Sequence, residues 1–362
     1  MPQAYAAGPP HSRVSRPPDR SPTNPRTDPP TDFVPAVPRN DPAGPRITGT
    51  AGTKSTARAR GEGRTVAARA AYRLCHNARV SILSIQSSVA YGHVGNSAAV
   101  FPLQRLGVEV WPVYTVHFSN HTGYGQWRGP LLPASDVREV ITGVEERGAF
   151  PGVDAVLSGY QGGEDIGDVI LDAVARVKKA NPDAIYACDP VMGNAKSGCF
   201  VHPAIPVLLR ERVVPAADLI TPNQFELGFL TETEPETLED TLDSVDKARA
   251  MGPQTVLVTS VLRPDRPEDT IEMLAVNGDG AWIVQTPQLP MKANGSGDVT
   301  AALFTAHLLS SGSAAEALGR TASSVFDLLE NTLESGEREL QLVQSQESIA
   351  HPKMQFEVTQ VR

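Results

Sequence analysis

Cysteine is scarce in this chain. Three occur in 362 residues, Cys75, Cys188 and Cys199, and they form neither a CxxC pair nor a metal-ligand spacing. That argues against a disulfide scaffold and a structural zinc site, and it suits a reducing compartment. No apolar run is long enough to cross a bilayer, so the chain reads as soluble and cytoplasmic, with no membrane partner. Positive charge is in deficit: the net charge of −9 counts against a nucleic-acid binder. Two phosphate-handling signatures are missing as well. There is no GxxxxGK[ST] loop and no HRD and DFG pair, so a phosphotransferase built on this sequence must be of another design. No internal repeat is present.

What charge there is lies unevenly. Residues 1–79 hold thirteen basic side chains against five acids and are crowded with Pro, Ala, Ser and Gly. Such a segment buries too little apolar surface to offset its ordering entropy. Residues 1–79 are therefore expected to be a disordered Pro/Arg-rich tail, and 80–362 one folded domain. The Arg content invites an import-peptide reading, but recurrent Pro and the acids count against an amphipathic import helix. The favoured readings are a solvated tail or a start codon assigned too early.

From Val80 strands alternate with helices. Apolar runs predict strands at Val80–Ile85, Glu109–Val116, Ala155–Ser158, Ile185–Cys188, Leu219–Ile220 and Thr255–Thr259. Helical spacing predicts helices at Ser97–Arg105, Ser135–Arg147, Gly167–Ala180, Leu238–Ala250, Gly297–Leu309 and Ala314–Leu333, with a last one around Glu339–Ile349. In the second of these, Ser135 is the expected cap and Val137, Val140, Ile141 and Val144 the expected buried face. Glu272–Val276 and Ala281–Gln285 flank Asn277-Gly278-Asp279-Gly280, a hairpin turn. His117–Gly129 is loop chemistry of the kind that binds ligands. The alternation implies an α/β fold with a mostly parallel central sheet and helices on both faces.

Ligands in such sheets bind beyond the carboxyl ends of the strands. The polar residues there are Ser87, the His117–Tyr124 loop, Gly159-Tyr160, Asp189, Thr221-Asn223-Glu226, Thr259-Ser260 and Gly295–Asp298. The sharpest is Gly295-Ser296-Gly297-Asp298, which opens a helix expected to be small and apolar on one side. Glycines let a backbone approach a ligand closely, and first-turn N–H groups with the helix dipole suit a transferring phosphoryl group. Asp298 stands beside those donors, able to take a proton from an attacking hydroxyl; a capped helix start is the plainer reading. Asp189 and Glu226 are hard oxygen ligands suited to Mg²⁺ carried on ATP. Asn223, three residues before Glu226, makes a capping box the plainer reading of that glutamate, and the two roles can coexist.

Taken in order, a set of longer motifs is far more specific. They are Ile85-Gln86-Ser87-Ser88, Tyr91-Gly92-His93-Val94-Gly95-Asn96, Phe118-Ser119-Asn120-His121-Thr122-Gly123-Tyr124, Leu157-Ser158-Gly159-Tyr160, Cys188-Asp189-Pro190-Val191-Met192-Gly193, Thr221-Pro222-Asn223-Gln224-Phe225-Glu226-Leu227 and Gly295-Ser296-Gly297-Asp298. From Val80 to near the C-terminus the chain resembles the pyridoxal kinase family of the ribokinase superfamily. Glu339-Leu340-Gln341-Leu342-Val343 shares the likeness; the tail does not.

The resemblance implies a ribokinase-like homodimer that phosphorylates the 5′-hydroxyl of pyridoxal, pyridoxine or pyridoxamine with ATP, in vitamin B6 salvage. It implies that Ser87 and Thr122 contact the vitamer, with Tyr160 near its ring. Asp298 would be the base, and the N–H groups of Gly295, Ser296 and Gly297 would hold the phosphate. Asp189, Thr221, Asn223, Glu226 and Thr259 would serve ATP and its Mg²⁺, with K⁺ as a further ion. Thr259 stands where some members have Lys and others Ser. Two other readings remain open: a hydroxymethylpyrimidine-type or other ribokinase-like kinase, disfavoured by the Ser119–Tyr124 loop, and a non-catalytic vitamer carrier, disfavoured by Asp298 and its glycines.

Overall fold

The computed structural model describes residues 79–291 and 293–362. The expected tail therefore lies outside the described residues, except for Arg79.

Eleven strands are found among the described residues. In chain order they are β1 (Ser81–Val89), β2 (Glu109–Phe118), β3 (Ala155–Ser158), β4 (Ile185–Cys188), β5 (Gly193–Asn194), β6 (Gly198–Cys199), β7 (Leu219–Ile220), β8 (Thr255–Val261), β9 (Thr270–Asn277), β10 (Gly280–Pro287) and β11 (Val358–Gln360). Strands β5 and β6 make a separate two-stranded ribbon. The other nine form one sheet in the order β2-β1-β3-β4-β7-β8-β9-β10-β11. Pairing is parallel from β2 to β8 and antiparallel from β8 to β11. The expected hairpin is β9–β10, with Gly280 paired to Asn277.

The short strands are apolar throughout because both faces of the sheet are covered. Alternate side chains of one strand enter different cores. Tyr186 and Cys188 join one cluster, Ile185 and Ala187 the other; Val256 and Val258 face one side, Leu257 the other. Helices α1 (Asn96–Arg105), α6 (Ser296–Ser311) and α7 (Ala314–Ser335) cover one face. Helices α2 (Ala134–Glu146), α3 (Glu164–Ala180), α4 (Gln224–Thr231) and α5 (Leu238–Met251) cover the other. Among the described residues no helix is long and apolar enough to cross a membrane.

The structure corrects several expectations. Ser135 does not cap α2: Pro133 holds the cap position without a side-chain bond, and Ser135 donates to Asp136 instead. Val140 is 52% exposed, so the buried stripe of that helix is Val137 and Ile141, with Val144 packed beside them. Helix α6 is buried on every side from Val299 to Leu309, not on one. Its Ala302, Phe304 and Ala306 join the core against the sheet, while Val299 and Leu303 join a third apolar cluster with Val325 and Leu328 of α7. Residues 337–345 form no helix, and the last one is only Gln346–Ala350.

Candidate active site at the carboxyl ends of the strands

Chain reversal at each strand end decides which side chains meet. Asp189 follows β4, and its carboxylate accepts the Thr221 hydroxyl, from the end of β7, at 3.2 Å. Asn223 caps α4: its side chain accepts the Glu226 N–H at 2.9 Å, and the Glu226 carboxylate accepts the Asn223 N–H at 2.9 Å. The same carboxylate accepts the N–H groups of Met192 at 2.9 Å and Gly193 at 3.3 Å. The capping box is therefore real, and Glu226 also ties α4 to the loop after Asp189. Thr259 joins the group through its backbone, donating to the Pro222 carbonyl at 2.9 Å.

Asp298 lies in the first turn of α6, behind Gly295 at φ 85°. A Cβ on Gly295 would come within 1.8 Å of the His93 carbonyl oxygen. The loop thus presses on the turn at 92–96, an approach that only glycine permits. The N–H groups of Gly95, in that turn, and of Asp298 itself lie close enough to the Asp298 carboxylate to draw its pKa down. Gly95 also sits at φ 53°, where a Cβ would lie 2.3 Å from the Ser87 carbonyl and hydroxyl oxygens. Ser87, Gly95 and Asp298 are thereby packed into one small volume.

The electrostatics point the same way. Burial pushes the Asp189 carboxyl well above its ordinary range, and the negative charges of Glu226 and Asp298 add to the effect. Glu226 is pushed up to about 7, by burial first and by Asp298 as well, against the pull of its three N–H donors. Burial also lifts Asp298 to about 6, against its two N–H donors. Asp298 is felt by both other carboxylates, so all three lie at one edge of the sheet. Among the described residues no three His, Cys, Asp or Glu side chains stand close enough to form a protein-only metal cage.

The expected substrate residues surround the ends of β1, β2 and β3. Ser87 is buried in β1. Tyr160 packs against the cluster of Val89, Val94, Val116 and Phe118. Thr122 is exposed at the start of a single turn, Thr122–Tyr124. That turn is the tip of an arm that doubles back on β2, closed by Ser119 N–H to the Arg128 carbonyl at 2.7 Å and His117 N–H to the Pro130 carbonyl at 3.0 Å. Asn120 braces the tip, donating to the Gln126 carbonyl at 2.8 Å. Surface hollows of about 590 Å³ beside Arg210 and Phe229 and about 560 Å³ beside Asn120 and Trp127 contain none of the three carboxylates.

Some residues to which the sequence alone assigns no role also belong here. Gly95 holds Asp298, and the Met192 and Gly193 N–H groups hold Glu226. The two glycines of Y-G-H-V-G-N are the local signal for the first of these. Glu339 carries only a family likeness in the sequence, yet it contacts both the arm and the turn at 92–96.

A mostly parallel sheet with backbone amides and carboxylates at its carboxyl edge is the arrangement of a ribokinase-like α/β small-molecule kinase. Residues 152–342 match the family model described as Phosphomethylpyrimidine kinase. The chain is 75% identical over 282 residues to the pyridoxal kinase PdxY of Leifsonia xyli subsp. xyli, covering 78% of this chain and all of that one. It is 66% identical over 282 residues to the pyridoxal kinase PdxY of Corynebacterium diphtheriae, again covering 78% of this chain and all of the relative. The pyridoxal kinase of Leishmania donovani, solved with ADP and pyridoxine, superposes with a TM-score of 0.73 at 29% identity, over 78% of this chain and 99% of that one. The chain belongs to the pyridoxal kinase family.

Proposed function

We propose that this protein is an ATP-dependent kinase of pyridoxal and its relatives pyridoxine and pyridoxamine, acting on the 5′-hydroxyl in cytoplasmic B6 salvage. The observation that carries the mechanism is Asp298, beside the N–H groups of the α6 first turn and on the same edge as Asp189 and Glu226. In this reading Asp298 takes the proton of the hydroxyl as its oxygen bonds to the γ-phosphorus. The bond from that phosphorus to the bridging oxygen of ADP breaks in the same displacement. The first-turn N–H groups of Gly295, Ser296 and Gly297 hold the transferring oxygens.

Ser87, Thr122 and Tyr160 take the vitamer, and Thr221, Asn223 and Thr259 flank the nucleotide. The donor set suits Mg²⁺ of the kind carried mainly by phosphates and waters. Asp189 offers a buried carboxylate with one hydroxyl donor, and Glu226 has a carboxylate crowded by three N–H groups. Asp189 and Glu226 would hold the ion, which would neutralise the triphosphate. Mutual repulsion of the three carboxylates supports a cation at this edge. K⁺ and a homodimer belong to the reading by family likeness.

A coupled assay of ADP release with pyridoxal, run with and without Mg²⁺ and K⁺, tests the whole reading. Turnover confined to hydroxymethylpyrimidine, or pyridoxal binding with no turnover, would overturn it.

Two further results are expected. Asp298 must be ionised to accept a proton, and its carboxyl is pushed up to about 6. kcat/KM for pyridoxal should therefore be flat above that pH and fall toward tenfold per unit below it. A profile level down to pH ~5 would remove Asp298 from the role. Glu226→Gln should raise the Kd for Mg-ATP more than that for pyridoxal. It should also cost about 1–3 kcal/mol of stability, because an amide cannot accept all three N–H groups. Calorimetric titration and urea unfolding read the two effects separately; an intact Mg-ATP affinity would leave Glu226 with its capping role alone.

A further inference from the structure

The C-terminal turn segment after α7 reaches back to the arm that bears Thr122. The Glu339 carboxylate accepts the Tyr124 hydroxyl at 2.5 Å through one oxygen and the His93 N–H at 3.0 Å through the other. A Cβ on Gly92 would lie 2.3 Å from that carboxylate, so the acid lies flush against the glycine turn. Arg338 stacks on the Tyr124 ring, its guanidinium carbon 3.7 Å from the ring centroid, and donates to the Gly123 carbonyl at 3.2 Å. Tyr91 packs edge-on against the same ring. Leu340 anchors the segment: it is 1% exposed and lies 3.4 Å from where a Gly295 Cβ would be.

These contacts join three pieces of the site that are distant in sequence. The arm tip is held through Tyr124 and Gly123. The turn whose Gly95 N–H holds Asp298 is held at His93, and the His93 carbonyl in turn bears on Gly295. A carboxylate that takes two donors from two separate loops is satisfied only when both are in place. The Tyr124 hydroxyl remains a donor throughout the working range, because the bond to Glu339 pushes its pKa up to about 12.

We propose that Glu339, assisted by Arg338, is a positioning residue that locks the arm over the bound vitamer and sets the register of the turn at 92–95 against Asp298. This inference rests on the kinase reading above. With the latch closed, water is kept from the γ-phosphate. With the latch open, water takes the place of the vitamer hydroxyl, and ATP is hydrolysed to ADP and phosphate.

The test compares wild type with Tyr124→Phe, Glu339→Gln and the double variant. Tyr124→Phe removes one hydroxyl from a partly exposed ring and leaves the core untouched. Each single change should raise KM for pyridoxal about tenfold, the scale of one lost bond to a charged group, and release ADP in excess of phosphorylated vitamer. The double variant should lose less than the sum of the two single ones, because the Tyr124 hydroxyl and the Glu339 carboxylate share one bond. One-to-one coupling with additive KM effects would overturn the latch. An activity-free readout separates this from failure of the kinase reading itself. Trypsin should cut after Arg128 faster in Tyr124→Phe than in wild type, as scored by fragment mass. Equal cutting rates would sink the latch whatever the enzyme phosphorylates.

Discussion

Asp298→Ala is expected to lower kcat by at least ~10²-fold, the scale of losing a general base, while ATP still binds. The reasoning is local. Asp298 is the carboxylate seated within the first turn of α6, beside the N–H groups proposed to hold the transferring phosphate, and the two N–H groups that lower its pKa belong to Gly95 and to itself. Neither donor is a long side chain, so alanine leaves the loop's steric frame in place. Removing this half-buried acid also relieves its repulsion of Asp189 and Glu226. The variant should therefore unfold no earlier than wild type in the absence of nucleotide. A fall in kcat together with a fall in melting temperature would point to a structural role. Wild-type turnover would remove the base from this residue, and the nucleotide affinity, measured by calorimetry, should stay within a few-fold.

Gly295→Ala should be nearly as damaging by a different route. The residue sits at φ 85°, and the added Cβ would be driven to 1.8 Å from the His93 carbonyl oxygen, a backbone atom that has no free rotation to escape. The left-handed conformation adds about 1 kcal/mol for a residue with a Cβ. The loop must shift, and the N–H groups of Ser296 and Gly297 shift with it. Losing one well-aimed donor of this kind costs ~10²–10³ in kcat. Gly297→Ala supplies the contrast, since nothing lies within 4 Å of its Cβ position; its backbone hole should survive with kcat within a few-fold of wild type. Equal damage from both substitutions would show that crowding by the new methyl, not displacement of the loop, is responsible.

Much of the architecture is legible in local signals. Strands β3, β4 and β7 have the bounds their apolar runs predict, because a short run buried on both faces is apolar throughout and ends at a turn residue. The β9–β10 hairpin follows from the turn at 277–280. Misreadings arise where a periodic pattern meets no partner. Val140 has the right spacing in α2 but lies on a side of the helix that stays exposed. Ser135 could cap a helix, but α2 begins a residue earlier, behind Pro133. Strand β11 is three residues long and is held by its pairing with β10, which no local pattern announces.

The candidate site divides along the same line. The polar residues at the strand ends, and the glycines that let two loops touch, are properties of the sequence: chemistry and backbone freedom reside in single residues. Their mutual placement is not. Gly95 and Asp298 meet because α1 and α6 pack on one face of the sheet, and Glu339 finds Tyr124 and His93 across 215 and 246 residues of chain. Burial, which pushes the three carboxyls upward, exists only once the chain has closed over them. Residue identity determined what this protein has to work with; only packing at long range decided which of those groups feel one another.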